Sequence, residues 1–171
     1  MSLSIYNARL LDPATGLDGP GAILIDDGMI REVSPGATAP HAAAAESLDA
    51  GGLCLAPGLI DLRVKTGEPG DEQKETLATA SRAAVAGGVT SLIVMPDTQP
   101  VIDDVALVRF ISDRAKASAQ ARIYPAGALT TGLKGEAMAE IGLMADAGAV
   151  LFTNGDSPVT NASIQKRAMT Y

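Results

Sequence analysis

Among its 171 residues the chain has no tryptophan, three tyrosines, two phenylalanines, one cysteine and one histidine. Each scarcity excludes something. With so few aromatic rings, the core must be built from Ala, Val, Leu, Ile and Met. The single cysteine, Cys54, excludes an internal disulfide and fits a reducing cytoplasm. It sits between apolar residues in GGLCLAPG and is expected to be a small buried core residue. The single histidine, His41, lies in the alanine-rich stretch PGATAPHAAAAE and is expected on a surface loop. Neither Ser81 nor Ser91 has a histidine near it in sequence with which to build a triad. No GxGxxG or Walker-type pattern occurs, so the pairs Gly51-Gly52 and Gly87-Gly88 are not phosphate loops. Apolar runs are short and broken by Gly or charge, which excludes a membrane-spanning helix. The start MSLSIYNARL lacks the basic and apolar segments of a signal peptide. Basic runs are also missing, and the net charge of −7 repels phosphate backbones, so nucleic acid is not a partner.

What is present is a globular composition, 47% hydrophobic and 19% charged, with 18 glycines. Two regions differ in rhythm. Residues 1–56 read as short strands: SIYNARLLD, a PATG turn, AILID, the Asp27-Gly28 hairpin signal, MIREVS, an exposed loop, and a short strand over Leu53–Ala56. This predicts a small antiparallel β module. From residue 57 to 171 strands alternate with helices. LIDLRV, TSLIVMP, ARIYPAGAL and AVLFT read as strands. KETLATASRAAVAGG, Asp103 to about Ser118, GEAMAEIGLMADAG and NASIQKRAMTY read as helices, two of them stopped by glycine. Met138 and Met144 in the third helix fall at core spacing. Such alternation predicts an α/β fold with a parallel sheet. Four units fit either a complete open sheet or the first half of an eight-stranded βα barrel. The sequence stops inside the fourth helix, at Thr170-Tyr171, so a piece of a longer protein is expected.

The chemistry gathers at strand ends. In PGLIDLRVKTGEPG, Asp61, Arg63 and Lys65 alternate along one strand and so share a face. In a βα barrel that face, at the C-terminal end of the strand, lines the active-site mouth. The polar segments MPDTQP and FTNGDSP end the second and fourth strands.

The stretch PGLIDLRVKTGEPGDEQKETLATASRAAVAGGVTSLIVMPDTQPVID resembles the dihydroorotase branch of the amidohydrolase superfamily. The PGLID entry, the EPG loop, the KET helix start, RAA-x-AGG-x-T and MP-x-T-x-P-x-ID follow in order and at close spacing. The likeness extends upstream through the β module and downstream to FTNGDSPV. It implies a partial N-terminal β-sandwich module over residues 1–56, and the first four βα units of a TIM-type barrel over 57–171. It also implies a truncated chain.

The family interconverts dihydroorotate and carbamoyl aspartate, using metal, usually zinc, to activate water and polarise the amide carbonyl. This chain departs from the family's pattern at the residues that matter. Arg63 and Lys65 stand where the resemblance places a His-x-His metal pair, and neither can ligate a dication. Gly67 replaces an Arg that grips the substrate carboxylate. Asp97 replaces an Asn. Asn154 and Gly155 replace paired aspartates. No catalytic residue, metal ligand or cofactor is therefore expected.

Three readings follow. In the first, Arg63 and Lys65 supply the missing positive charge and pair with Asp61, Asp97 or Glu68 in a vestigial site. In the second they bind a small anion. In the third a divergent site still hydrolyses a cyclic amide, dihydroorotate or a hydantoin. Glu68 is read as loop-shaping and Lys74 as surface at a helix start. The resemblance to non-catalytic homologues implies a structural role in pyrimidine biosynthesis, in the cytoplasm, with aspartate transcarbamoylase and further copies of itself as partners.

Overall fold

The computed structural model describes residues 1–171. The chain divides into two compact units, Met1–Pro57 and Gly58–Tyr171.

The first unit is one five-stranded sheet in which β1 (Ser2–Asp12), β2 (Leu17–Asp26) and β3 (Met29–Pro35) form antiparallel hairpins. The turn between β2 and β3 places Asp27 and Gly28 both at positive φ, the backbone that a tight hairpin of this kind requires. One feature differs from the sequence reading. The module is not wholly antiparallel, because β4 (Glu46–Asp49) and β5 (Cys54–Leu55) both run parallel to β1 along its other edge. The loop after β3 carries the chain across, and this crossover reverses the hairpin sense. The strands of this unit form a single sheet. Ala8, Leu10 and Ile23 are its buried apolar centre.

Cys54 is exposed, which corrects its expected burial. It stands on a two-residue edge strand with no layer packed over it. His41 does lie on a loop, but its side chain is only 14% exposed. Its backbone N–H donates to Ser4 Oγ at 3.0 Å, and this bond draws the loop down over β1.

The second unit is a parallel sheet in the order β6 (Leu59–Val64), β7 (Val89–Val94), β8 (Arg122–Ala128), β9 (Leu151–Thr153). Helices α1 (Leu77–Ala86), α2 (Val105–Ser118), α3 (Ile141–Asp146) and α4 (Ala162–Thr170) follow their strands in turn. The arrangement is that of half a βα barrel. Thr76 caps α1 in a reciprocal box with Thr79, and Asp104 caps α2 by accepting from Leu107 N–H. Asn161 caps α4 in the same way.

The third helix is much shorter than the glycine-bounded stretch predicts. Residues 135–140 run back along residues 129–131 instead, through Thr131 N–H to Ala137 O, Ala139 N–H to Leu129 O and a bridge between Thr130 and Met138. Gly135, at φ 72°, starts that return, and helical propensity gives way to the ladder it allows.

Leu77, Leu92, Val94, Val108, Ile111 and Met144 belong to the apolar core cluster between the helices and one face of the sheet. Ile111 is fully buried there. Ile111→Ala removes its side chain from a close-packed layer and should destabilise the protein by about 2–5 kcal/mol, measured by urea unfolding.

No helix is long and apolar enough to cross a membrane.

Candidate functional site

The ends of β6, β7 and β9 meet at one charged cluster. Arg63 lies on β6 and Lys65 just beyond it, Asp97 follows β7, and Asp156 lies in the turn after β9. Asp156 bridges the two cations: one carboxylate oxygen accepts from the Arg63 guanidinium and the other from the Lys65 ammonium. Lys65 Nζ also lies 2.6 Å from Asp97 Oδ2. Arg63, Lys65 and Asp156 are half or more exposed, and Asp97 is more enclosed. The four groups sum to no net charge.

Lys65 and Asp156 stabilise each other's charged form. Lys65 holds the Asp156 carboxyl below the usual aspartate range, with Arg63 adding to the effect. Asp156, and then Asp97, raise the Lys65 ammonium above the usual lysine value.

Two residues named as charge partners are elsewhere. Asp61 Oδ1 accepts from the backbone N–H of Arg63 at 3.0 Å, so the short side chain folds back along its own strand. The strand is also irregular between Asp61 and Val64, which breaks the strict alternation that the sequence argument assumed. Glu68 is buried and points away from the cluster. Its Oε1 accepts from Arg114 Nε at 2.6 Å, and its Oε2 from Leu77 N–H at 2.9 Å at the start of α1. Glu68 therefore ties the loop after β6 to both α1 and α2. Lys74 is exposed and bonded to Asp71.

Gly67, Asn154 and Gly155 each have a structural task. A Cβ at Gly67 would collide with the carbonyl oxygen of Asp71, so no arginine fits this loop without moving its backbone. Gly155 sits at φ 61° beside Asp97, where an aspartate would be strained. Asn154 is buried, and its Oδ1 accepts from Thr130 N–H and Oγ1–H, each at 3.0 Å. Its Nδ2 is 2.8 Å from Thr130 Oγ1 and 3.4 Å from Leu133 O. A carboxylate has no N–H with which to make the last bond. Asn154 thus anchors the turn that presents Asp156.

Asp156 is the residue that sequence reasoning missed. The likeness to a paired-aspartate motif points to positions 154 and 155 instead. The remaining carboxylate of FTNGDSP, one residue further on, was the available signal.

A zinc ion does not fit this donor set. Two cations occupy the strand ends, both carboxylates are turned toward them, and no group of three or more His, Cys, Asp or Glu side chains is placed to hold a metal.

The model of the Dihydro-orotase-like family matches residues 52–171. The chain belongs to the dihydroorotase-like family. It is 45% identical over 171 residues to a dihydroorotase of Pelobacter propionicus. It is 43% identical over the same length to a dihydroorotase-like protein of Pseudomonas putida. Both alignments take in all of this chain and 40% of the relative, so the chain spans two fifths of the length of these curated relatives. Among solved structures it is similar to the L-hydantoinase of Arthrobacter aurescens, with a TM-score of 0.74 and 27% identity. That match covers 88% of this chain and 32% of the hydantoinase. The half-barrel seen here is thus part of a TIM-barrel amidohydrolase fold.

The depressed Asp156 value implies a sign. Its pairing contributes above the ordinary aspartate range and is lost as pH falls through the lower folded value. A carboxyl-carbon NMR titration should place Asp156 below about 3.9, and Lys65→Met should move it back toward that value.

Proposed function

We propose that this chain belongs to a dihydroorotase-like protein that does not catalyse the hydrolysis, and that serves a structural role in pyrimidine biosynthesis beside aspartate transcarbamoylase. One observation carries the reading: Arg63 and Lys65, at the end of β6, are neutralised by Asp97 and Asp156 from the ends of two other strands. A metal-dependent amidohydrolase needs positive charge at this mouth to lower the pKa of a water and to polarise a carbonyl. Here the positive charge comes from side chains that activate no water. The carboxylates that could accept protons or hold a metal are engaged with them. Gly67 leaves no guanidinium to grip a substrate carboxylate, and its loop is packed closely against Asp71.

A second reading has support from the likeness to L-hydantoinase, a protein whose name implies action on a cyclic hydantoin. It requires a water activated without the strand-end metal, and no group at the cluster is free to do so. Anion binding by Arg63 and Lys65 requires the ligand to displace Asp156 from both cations.

The test is a chimera in which residues 1–171 replace the matching region of the Pelobacter propionicus relative, with folding checked by circular dichroism. The chimera should fold and show no hydrolysis of dihydroorotate above background. It should also co-elute with aspartate transcarbamoylase on gel filtration. Turnover in the ordinary enzymatic range, about 1–1000 per second, would contradict the proposal.

A further inference from the structure

Asn154 and Gly155 join β9 to the turn that presents Asp156. Asparagine is a thermolabile side chain. It is most so before glycine, where no Cβ obstructs the next backbone nitrogen as it nears the amide carbon. Asn7 and Asn161 are each followed by alanine, so Asn154 alone has this pairing. In the fold both reacting groups are tied down. Asn154 is only 6% exposed, and its side-chain amide is bonded to Thr130 and Leu133. It is therefore held toward residues 130–133 and away from its own following amide. That amide, Gly155 N–H, donates to Thr153 Oγ1 at 3.1 Å.

We propose that Asn154 is a deamidation site, that Thr130 and Thr153 hold it shut, and that its conversion releases Asp156 from Arg63 and Lys65. When the turn opens, the Gly155 nitrogen attacks Asn154 Cγ. The N–Cγ bond forms as the nitrogen's proton passes to water. The Cγ–Nδ2 bond breaks, and the side-chain nitrogen leaves as ammonia after taking a proton from water. Water then opens the cyclic imide. Attack at Cγ leaves aspartate at position 154. Attack at the backbone carbonyl carbon of residue 154 leaves isoaspartate, with the chain running through Cβ and Cγ. No oxidant is needed, and water is the only co-reactant. Either product lacks the amide donor that faces Thr130 Oγ1 and Leu133 O, and sets a carboxylate against that carbonyl. Isoaspartate also lengthens the backbone that carries Asp156. Both changes loosen the turn, so the carboxylate that bridges Arg63 and Lys65 loses its seat. This inference stands apart from the absence of catalysis, since it concerns a bond rearrangement within the chain itself.

Peptide mass spectrometry tests it, following position 154 in the purified protein at mildly alkaline pH, with and without urea. The native rate should lie at least about tenfold below the rate in urea, because only the opened fraction reacts. Thr130→Val removes the hydroxyl contacts to Asn154 and should raise the native rate about tenfold. Thr130→Ser keeps a hydroxyl and should stay slow. If Thr130→Val fails to fold by circular dichroism, Thr153→Val, which frees the Gly155 N–H, should raise the native rate about fivefold. The converted protein, separated by anion exchange, should show Asp156 titrating nearer the ordinary aspartate value than before conversion. No conversion in urea, a native rate equal to that in urea, folded valine variants as slow as the wild type, or an unchanged Asp156 titration would each overturn the proposal.

Discussion

The apolar layer between the sheet and its helices is the constraint on which the second unit depends. Leu92, Val94 and Ile123 from the strands meet Leu77, Val108, Ile111 and Met144 from the helices. No tryptophan is available to fill space, so the layer relies on many small and branched side chains in close contact. It holds the strands side by side, and their ends bring residues 65, 97 and 156 to one place although they are far apart in sequence. The charged cluster is a consequence of this layer and contributes little to holding it, because exposed ion pairs are worth about 0–1 kcal/mol.

Glu68 has the opposite balance. It is buried, it accepts from a helix N–H, and it meets Arg114 from a different helix. A buried carboxylate without its cation is costly, so the loop after β6 is held in one shape. That shape fixes Gly67 against Asp71 and leaves no room for a side chain there. Asn154 does the same at the end of β9, using a donor that an aspartate lacks. Gly67 and Asn154 are therefore built into the surrounding backbone.

Much of this was legible in the sequence. Strand and helix rhythm placed all four βα units, and the motifs around residues 57–103 identified the family before any geometry was known. What escaped depended on contacts between distant segments. Asp156 was invisible because its role depends on how the turn after β9 folds back, and that turn is set by Asn154 against Thr130. Glu68 looked like a neighbour of Lys65 because it is close in sequence, whereas its side chain is claimed by α1 and α2. The third helix was overestimated because residues 135–140 satisfy their backbone against residues 129–131. The short strand expected over Leu53–Ala56 is present as β5, but its parallel direction, and β4 beside it, escaped because short strands carry no mark of direction.

The central claim is that side-chain cations occupy the strand ends in place of a metal. Equilibrium dialysis against zinc, followed by emission spectrometry, tests it most directly when the wild type is compared with a variant carrying both Arg63→His and Lys65→His. The account predicts that the wild type retains no stoichiometric zinc and that the double variant, with its cations removed and Asp97 and Asp156 released, retains measurable zinc. A wild type that holds one or more zinc ions per chain would contradict it.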